Sequence, residues 1–82
     1  MTTWDRDKVA SSINNLVDAD LKGLDLSGLD LEKANLISAI LTSANLKGAS
    51  LVGANLFATK AMRADFSDAN LSGANLLKAN LT

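Results

Sequence analysis

Residues 34–58 read ANLIS AILTS ANLKG ASLVG ANLFA, five consecutive blocks of five residues with a leucine at the centre of each. The same spacing continues in both directions without an insertion or a deletion. Residues 19–82 contain twelve full blocks and most of a thirteenth. Strict self-similarity at a fixed period is the sequence signature of a repeat architecture.

A period of five matches neither the 3.6-residue period of an α-helix nor the two-residue period of a flat strand. On a helix, the leucines would lie around the whole circumference, and only a large protein could bury them. A chain that turns once every five residues instead keeps the same side facing inward. Four turns of about 90° close a square coil, and stacked coils would pair their backbones at a spacing of about 4.8 Å.

The A(D/N)LXX pattern of residues 19–82 resembles the pentapeptide-repeat family. The resemblance implies an all-β solenoid, a right-handed quadrilateral β-helix of about three coils. It also implies that the central residue of each block and the residue two positions earlier point inward. The sequence agrees, because the central positions hold Leu except at Ala61 and Phe66, and the earlier positions are mostly Ala. The Asn or Asp before each Leu can hydrogen-bond to the backbone of the turn.

Residues 1–18 do not repeat, and we expect them to form an N-terminal helical cap on a β-helix that spans residues 19–82. Repeat stacks need caps because each end exposes an uncovered layer of the core. Thr2 and Asp5 resemble a capping box. Apolar residues then follow at helical spacing, namely Val9, Ile13, Leu16 and Val17. The pattern predicts an amphipathic helix from Trp4 to about Leu16.

Every twentieth residue shares a column of the predicted solenoid. If residues 19–23 form face one, then face four consists of residues 34–38, 54–58 and 74–78. Just after the central Leu, face four carries apolar residues where the other faces are mostly polar: Ile37, Phe57 and Leu77. Ile40 and Met62, on face one, could widen this stripe. Contiguous exposed apolar surface usually marks a contact site, so we predict a partner-binding surface here. The alternatives are that the N-terminal helix covers the stripe or that it is an apolar ladder without a partner.

The sequence ends at Leu81-Thr82 with no capping segment after it, so we expect the last layer of the core to be open. Four large apolar residues belong to this layer: Phe66, Leu71, Leu76 and Leu81. We predict that this end is covered by a second copy, in a weak end-to-end homodimer, or by another protein.

The composition argues against catalysis. The chain contains no His and no Cys, which removes the usual zinc ligand sets and the Cys–His and Ser–His nucleophile pairs. We therefore expect no enzyme activity, no metal and no cofactor. The first residues lack the apolar region of a secretory signal, and no apolar run approaches the length of a membrane span. These features predict a cytoplasmic protein without a membrane partner.

Two functions compete at this point. The first is a non-catalytic protein-interaction or scaffold module. The second, implied only by the family resemblance, is a DNA-mimicking inhibitor or protector of DNA gyrase, which requires a long and strongly acidic rod. Residues 19–82 carry six acidic and six basic side chains, which cancel. The balance favours the first function and predicts no nucleic-acid partner.

Overall fold

The computed structural model describes residues 3–82. Among these residues there is one helix, α1, Arg6–Ala10, and it is followed by coils that pair at single residues instead of along extended strands. Nine parallel bridges each join a residue to the residue twenty positions later, from Asp20↔Ile40 to Lys60↔Asn80. A register of twenty is what four five-residue sides predict, so each coil stacks directly on the next.

Each five-residue unit ends in a tight turn that a backbone hydrogen bond closes. The N–H of Ala44 donates to the carbonyl of Leu41 at 2.9 Å, and the N–H of Ala49 donates to Leu46 at 3.0 Å. The last residue of every unit from Asp18 to Lys78 has a φ between 57° and 70°. A positive φ at the third residue of a turn is the requirement of a type II turn. Five of these positions are glycine, which adopts this conformation without strain.

Asparagine and aspartate have a local role at the second position of the unit. The Asn45 side-chain oxygen accepts a hydrogen bond from the N–H of Lys47 at 2.9 Å, and Asn70 accepts from Ser72 at 3.0 Å. Ten such bonds occur between Asp20 and Asn80. They satisfy an N–H inside the turn that the backbone leaves free. The expectation that these side chains bind turn backbone is confirmed.

The coils are joined to each other by backbone hydrogen bonds along every side. The N–H of Leu46 donates to the carbonyl of Asp65 in the following coil at 2.7 Å, and the N–H of Asn45 donates to Leu24 in the preceding coil at 2.9 Å. A middle coil is therefore bonded on both sides. Because adjacent residues donate in opposite directions, the stack is held together from above and from below at each unit.

The interior is a column of leucines surrounded by small residues. The central leucines from Leu16 to Leu56 are fully buried, and so are most of the alanines two positions before them. Thr59 takes the place of one of these alanines, and its hydroxyl donates to the carbonyl of Leu36 at 2.7 Å. The hydrogen bond satisfies a hydroxyl that would otherwise be buried without a partner. The predicted division into inward and outward positions is confirmed here.

The prediction of a helix from Trp4 to about Leu16 is wrong in its extent, because α1 covers only Arg6–Ala10. Asp5 is the N-cap, and its side chain accepts from the N–H of Lys8 at 2.8 Å. The predicted capping box depended on Thr2, which lies outside the described residues. Helix α1 ends where Ser11, Ser12, Asn14 and Asn15 follow. These side chains compete with helical backbone bonds and favour turns.

Leu16 belongs to the solenoid and not to the helix. Its N–H donates to the carbonyl of Asn35 at 2.9 Å, and the N–H of Asp18 donates to Ile37 at 3.0 Å. These are the same inter-coil bonds that the later units make, so the ladder extends back beyond residue 19. The N–H of Asn35 bonds to Ile13, one residue earlier than the register of the other coils. Ile13 packs partly buried against the core, whereas Asn14 is exposed.

The structure predicts opposite outcomes for two neighbouring substitutions. Leu46→Ala removes a fully buried side chain with coils on both sides, and should lower the free energy of unfolding by about 2–5 kcal/mol. Lys47→Ala changes an exposed residue of the same unit and should change it by less than about 0.5 kcal/mol. Urea titrations followed by circular dichroism would measure both, and equal losses would contradict the assigned inward and outward positions.

Candidate functional site

The inter-coil ladder aligns one apolar residue of each coil on face four. The N–H groups of Asp18, Ser38 and Ala58 donate to the carbonyls of Ile37, Phe57 and Leu77 at 2.9–3.0 Å. These bonds place the position after the central Leu directly above its equivalent in the next coil. We call the resulting set the apolar column; it consists of Val17, Ile37, Phe57 and Leu77.

The apolar column is open to solvent. Val17 is 39% exposed and Leu77 is 63% exposed. Ile37 and Phe57, between them, are half-buried. Since each inner side chain has a neighbour above and below in the column, the partial burial is what stacking at about 4.8 Å produces. The column is one residue longer than the predicted stripe, because the sequence pattern places Val17 among the apolar residues of the N-terminal cap.

Two further columns flank the apolar column on face four. On one side is the asparagine column: Asn15, Asn35, Asn55 and Asn75. The Asn75 amide donates to the Asn55 side-chain oxygen at 3.4 Å, from one coil to the next. On the other side is the edge column, at the corner where each φ is positive: Asp18, Ser38, Ala58 and Lys78.

Face four carries fewer charged side chains than the other three faces. Its charged side chains are Asp18 at one end of the edge column and Lys78 at the other, and the outward positions between them are uncharged. Four charged side chains lie on face one (Asp20, Lys22, Lys60 and Arg63), four on face two (Asp25, Lys47, Asp65 and Asp68) and three on face three (Asp30, Glu32 and Lys33). Covering face four therefore removes water from fewer charged groups than covering any other side of the solenoid, and so costs the least free energy of charge desolvation.

Ile40 and Met62 lie outside the apolar column, around the corner on face one. Ile40 bridges Asp20 in the preceding coil and Lys60 in the following one, so charged residues bracket it within its own column. Met62 lies in a different column of face one from Ile40. Its carbonyl accepts a hydrogen bond from the N–H of Ser43 in the preceding coil. Both side chains are half-buried. They lie in two separate columns of face one, and their contribution to the stripe from around the corner stays a prediction.

The four residues of the predicted end contact lie in the last coil. Phe66, Leu71 and Leu76 are partly buried and pack against the core, and Leu81 is 48% exposed. The equivalent leucines of the earlier coils, such as Leu46, are fully buried. The difference arises because no described residue packs on the outer side of this layer.

The opposite end is partly covered by α1. Val9 is fully buried, and Trp4 is partly buried against the same core. The Arg6 guanidinium donates to the backbone carbonyl of Asp25 at 3.1 Å and lies 3.8 Å from its carboxylate. Beside α1 is an open depression of about 450 Å³, whose lining includes Trp4, Lys8 and Asn15.

Two aspartates on face two have perturbed acidity. The Ser27 hydroxyl donates to the Asp25 carboxylate at 2.6 Å and, together with the N–H of Ser27, lowers the pKa of Asp25. Ser67 lowers the pKa of Asp65 in the same way. Both side chains are exposed. Hydrogen bonds to the charged form favour ionisation, so these groups act as turn-stabilising anions.

Within residues 3–82, no group of three or more acidic side chains is placed to hold a metal ion. The helix found in this range is too short and too polar to cross a membrane.

The family model described as Pentapeptide repeats (8 copies) matches residues 15–51 and 49–82. The match begins one residue before Leu16, the first residue whose N–H donates to the following coil, and covers most of the chain. The chain belongs to the pentapeptide repeat family. Membership implies a right-handed β-helix, which agrees with the twenty-residue register of the bridges.

Solved structures of pentapeptide repeat proteins resemble this chain. One, from the thylakoid lumen of Arabidopsis thaliana, is 43% identical with a TM-score of 0.61, over 77% of this chain and 47% of that protein. Another, Rfr23 from the cyanobacterium Cyanothece 51142, is 33% identical with a TM-score of 0.62, over 77% of this chain and 50% of that protein. The chain thus spans about half the length of these two proteins. No curated protein matches it.

Removing the Ser27 hydroxyl of this pentapeptide repeat protein should change the pKa of Asp25 but not the pKa of Asp65. Ser27→Ala should raise the pKa of Asp25 towards its ordinary value of 3.8 and leave Asp65 unchanged. The side-chain hydrogen bond is the largest cause of the lowered pKa. Carboxyl ¹³C chemical shifts followed through an acid titration would measure both groups.

The sign of the stability effect follows from the lowered folded-state pKa. Each carboxylate stabilises the fold above its unfolded-state pKa, and the contribution is lost as the pH falls through the folded-state pKa. Ser27→Ala should therefore lower the stability of the protein at neutral pH, with a smaller difference from the wild type in acid. A variant whose Asp25 titrates like the wild type would contradict the assigned cause.

Proposed function

We propose that this pentapeptide repeat protein is a non-catalytic protein-interaction module whose contact surface is face four. The observation that carries the proposal is the apolar column, in which Val17 and Leu77 are exposed and Ile37 and Phe57 are half-buried. Contiguous apolar surface of this kind favours contact with another protein surface over contact with water.

The rigidity of the backbone supports this function. The carbonyls of Ile37 and Phe57 accept backbone bonds from the preceding coil, and the Asn35 and Asn55 side chains fix the turns that carry them. A surface that is ordered before binding loses little conformational entropy when it is covered. The asparagine column adds amides that can donate and accept hydrogen bonds beside the apolar contact.

The finer structural predictions belong to the same proposal. Helix α1 acts as the cap of the first coil, with Val9 as its main buried contact. The last coil, with Phe66, Leu71, Leu76 and Leu81, is a second candidate contact, end to end. The cytoplasmic location stays a prediction. We do not propose DNA mimicry, because the six acidic side chains of residues 19–82 are balanced by six basic ones.

A photo-crosslinking amino acid would test the contact surface directly. Placed at Phe57, on face four, it should yield a defined covalent protein adduct in cells that naturally contain this protein. Placed at Lys47, at the same position of a unit on face two, it should yield none. The mass of the adduct would show whether the partner is a second copy or a different protein.

A matched set of substitutions would test the chemistry of the contact. Ile37→Ser and Leu77→Ser, combined with the crosslinker at position 57, should abolish the adduct and leave the circular dichroism spectrum unchanged. Val52→Ser, at the same unit position on face three, should leave the adduct intact. Equal adducts from positions 57 and 47, or none from either, would contradict the proposed function.

A further inference from the structure

We propose that face four is occupied by a second copy of this chain, lying antiparallel, so that Asp18 of each copy pairs with Lys78 of the other. The inference rests on the proposed contact surface and specifies its partner. It is carried by the order of side chains along the three columns of face four.

The two charges of the edge column are at opposite ends and have no ion-pair partner among residues 3–82. The ion pair described within the chain joins Arg6 to Asp25. Asp18 and Lys78 are both exposed, and three coil spacings of about 4.8 Å separate the two ends of the edge column by roughly 14 Å. They therefore do not neutralise each other within one molecule, and each is available to an opposite charge on a partner.

A two-fold axis that runs across face four reverses the order of the coils and keeps the order of the columns. The first coil of one copy then faces the last coil of the other, and each column faces itself. Asp18 lies opposite Lys78, and the symmetric contact repeats the pair at the other end. A closed two-fold arrangement makes the surface complementary to itself.

A parallel arrangement lacks this complementarity. An axis along the solenoid through the apolar column exchanges the two flanking columns, so the edge column of one copy faces the asparagine column of the other. Asp18 then lies opposite Asn15, and Lys78 lies opposite Asn75. Both charges lose water without gaining an opposite charge, which disfavours this pairing relative to the antiparallel one.

The side chains in the other two columns also match in the antiparallel arrangement. The smallest member of the apolar column, Val17, lies opposite the most exposed, Leu77. Ile37 lies opposite Phe57. Asn35 lies opposite Asn55, and each amide can donate to and accept from the other. The uncharged side chains at the middle of the edge column, Ser38 and Ala58, leave room for close approach.

The size of the face sets the strength of the contact. Four coil positions at about 4.8 Å give a strip under about 20 Å long. Even across the full 22 Å width of the molecule, such a strip covers under about 440 Å², well below the roughly 800 Å² per partner of a standard stable interface. The dimer should be weak, with a dissociation constant on the order of 0.1–1 mM. Because the ion pairs lie at the rim, its stability should fall with increasing salt.

Disulfide trapping would determine the arrangement, since the natural chain has no cysteine. Asp18→Cys and Lys78→Cys proteins, mixed and oxidised at high concentration, should form the mixed disulfide. Neither variant oxidised alone should form a disulfide-linked dimer efficiently. In the antiparallel arrangement two copies of position 18 are about 14 Å apart, and so are two copies of position 78, which is beyond the reach of a disulfide. Lys47→Cys, on face two, is the control and should form no specific disulfide with Lys78→Cys.

Each other trapping outcome overturns the inference in an identifiable way. An efficient disulfide between two Lys78→Cys chains would indicate end-to-end pairing through the last coil. An efficient disulfide between two Asp18→Cys chains would indicate pairing through the first coil. No specific disulfide at any concentration would also overturn it. If the crosslinker at position 57 then captures a protein of different mass, the proposed function stands and only the identity of the partner is wrong.

Charge reversal would test the ion pairs on their own. In sedimentation equilibrium, Asp18→Lys or Lys78→Asp should weaken self-association about fivefold or more, because two ion pairs become two like-charge contacts. The double variant restores both pairs in reverse and should associate like the wild type. A double variant as weak as the single ones would overturn the antiparallel pairing.

Discussion

The whole structure depends on one closed turn that repeats every five residues. A backbone hydrogen bond such as Ala44 to Leu41 closes it, and a positive φ at the preceding residue gives it its direction. Four such turns return the chain to its starting direction, so the next N–H meets a carbonyl of the neighbouring coil. Neither set of bonds is sufficient alone, because the turn positions the ladder and the ladder holds the turn.

The leucine core follows from this geometry. Once the turns are fixed, the central residue of every unit points to the axis, where Leu16 to Leu56 bury their side chains completely. A small residue near each corner leaves space for them. Residues 3–82 thus form a continuous core without long strands, and the sequence contains no cysteine for a disulfide.

The surface has the same regular order as the core, and the proposed contact on face four depends on it. Any residue type that recurs every twenty positions becomes a column, so Val17, Ile37, Phe57 and Leu77 form a stripe although they are far apart in sequence. The asparagine column beside it has both a local role, in the turn, and an external one, as a row of amides. The proposed contact therefore requires no special loop or cleft.

The sequence predicted the inward positions correctly because the five-residue period is unbroken and a solenoid allows few arrangements of such a period. It predicted the helix wrongly because Val9, Ile13 and Leu16 fit both a helix and a turn followed by a coil. Inter-coil bonds to Asn35 and Ile37 favour the coil, and no local pattern reveals them. The same error hid Val17 from the stripe. Ile40 and Met62 lie on face one, around the corner from the stripe, and their contribution to it stays a prediction.

The dependence on a five-residue unit can be measured with insertions between Gly53 and Ala54. Inserting Ala-Asn-Leu-Ser-Gly, a copy of residues 69–73, keeps every later unit in phase and moves it to the next face. Inserting four residues, Ala-Asn-Leu-Ser, or six residues, Ala-Asn-Leu-Ser-Gly-Ser, shifts every later unit out of phase. Urea unfolding should show nearly full stability for the five-residue insertion and a large loss for the other two. Equal stability in all three proteins would contradict the account.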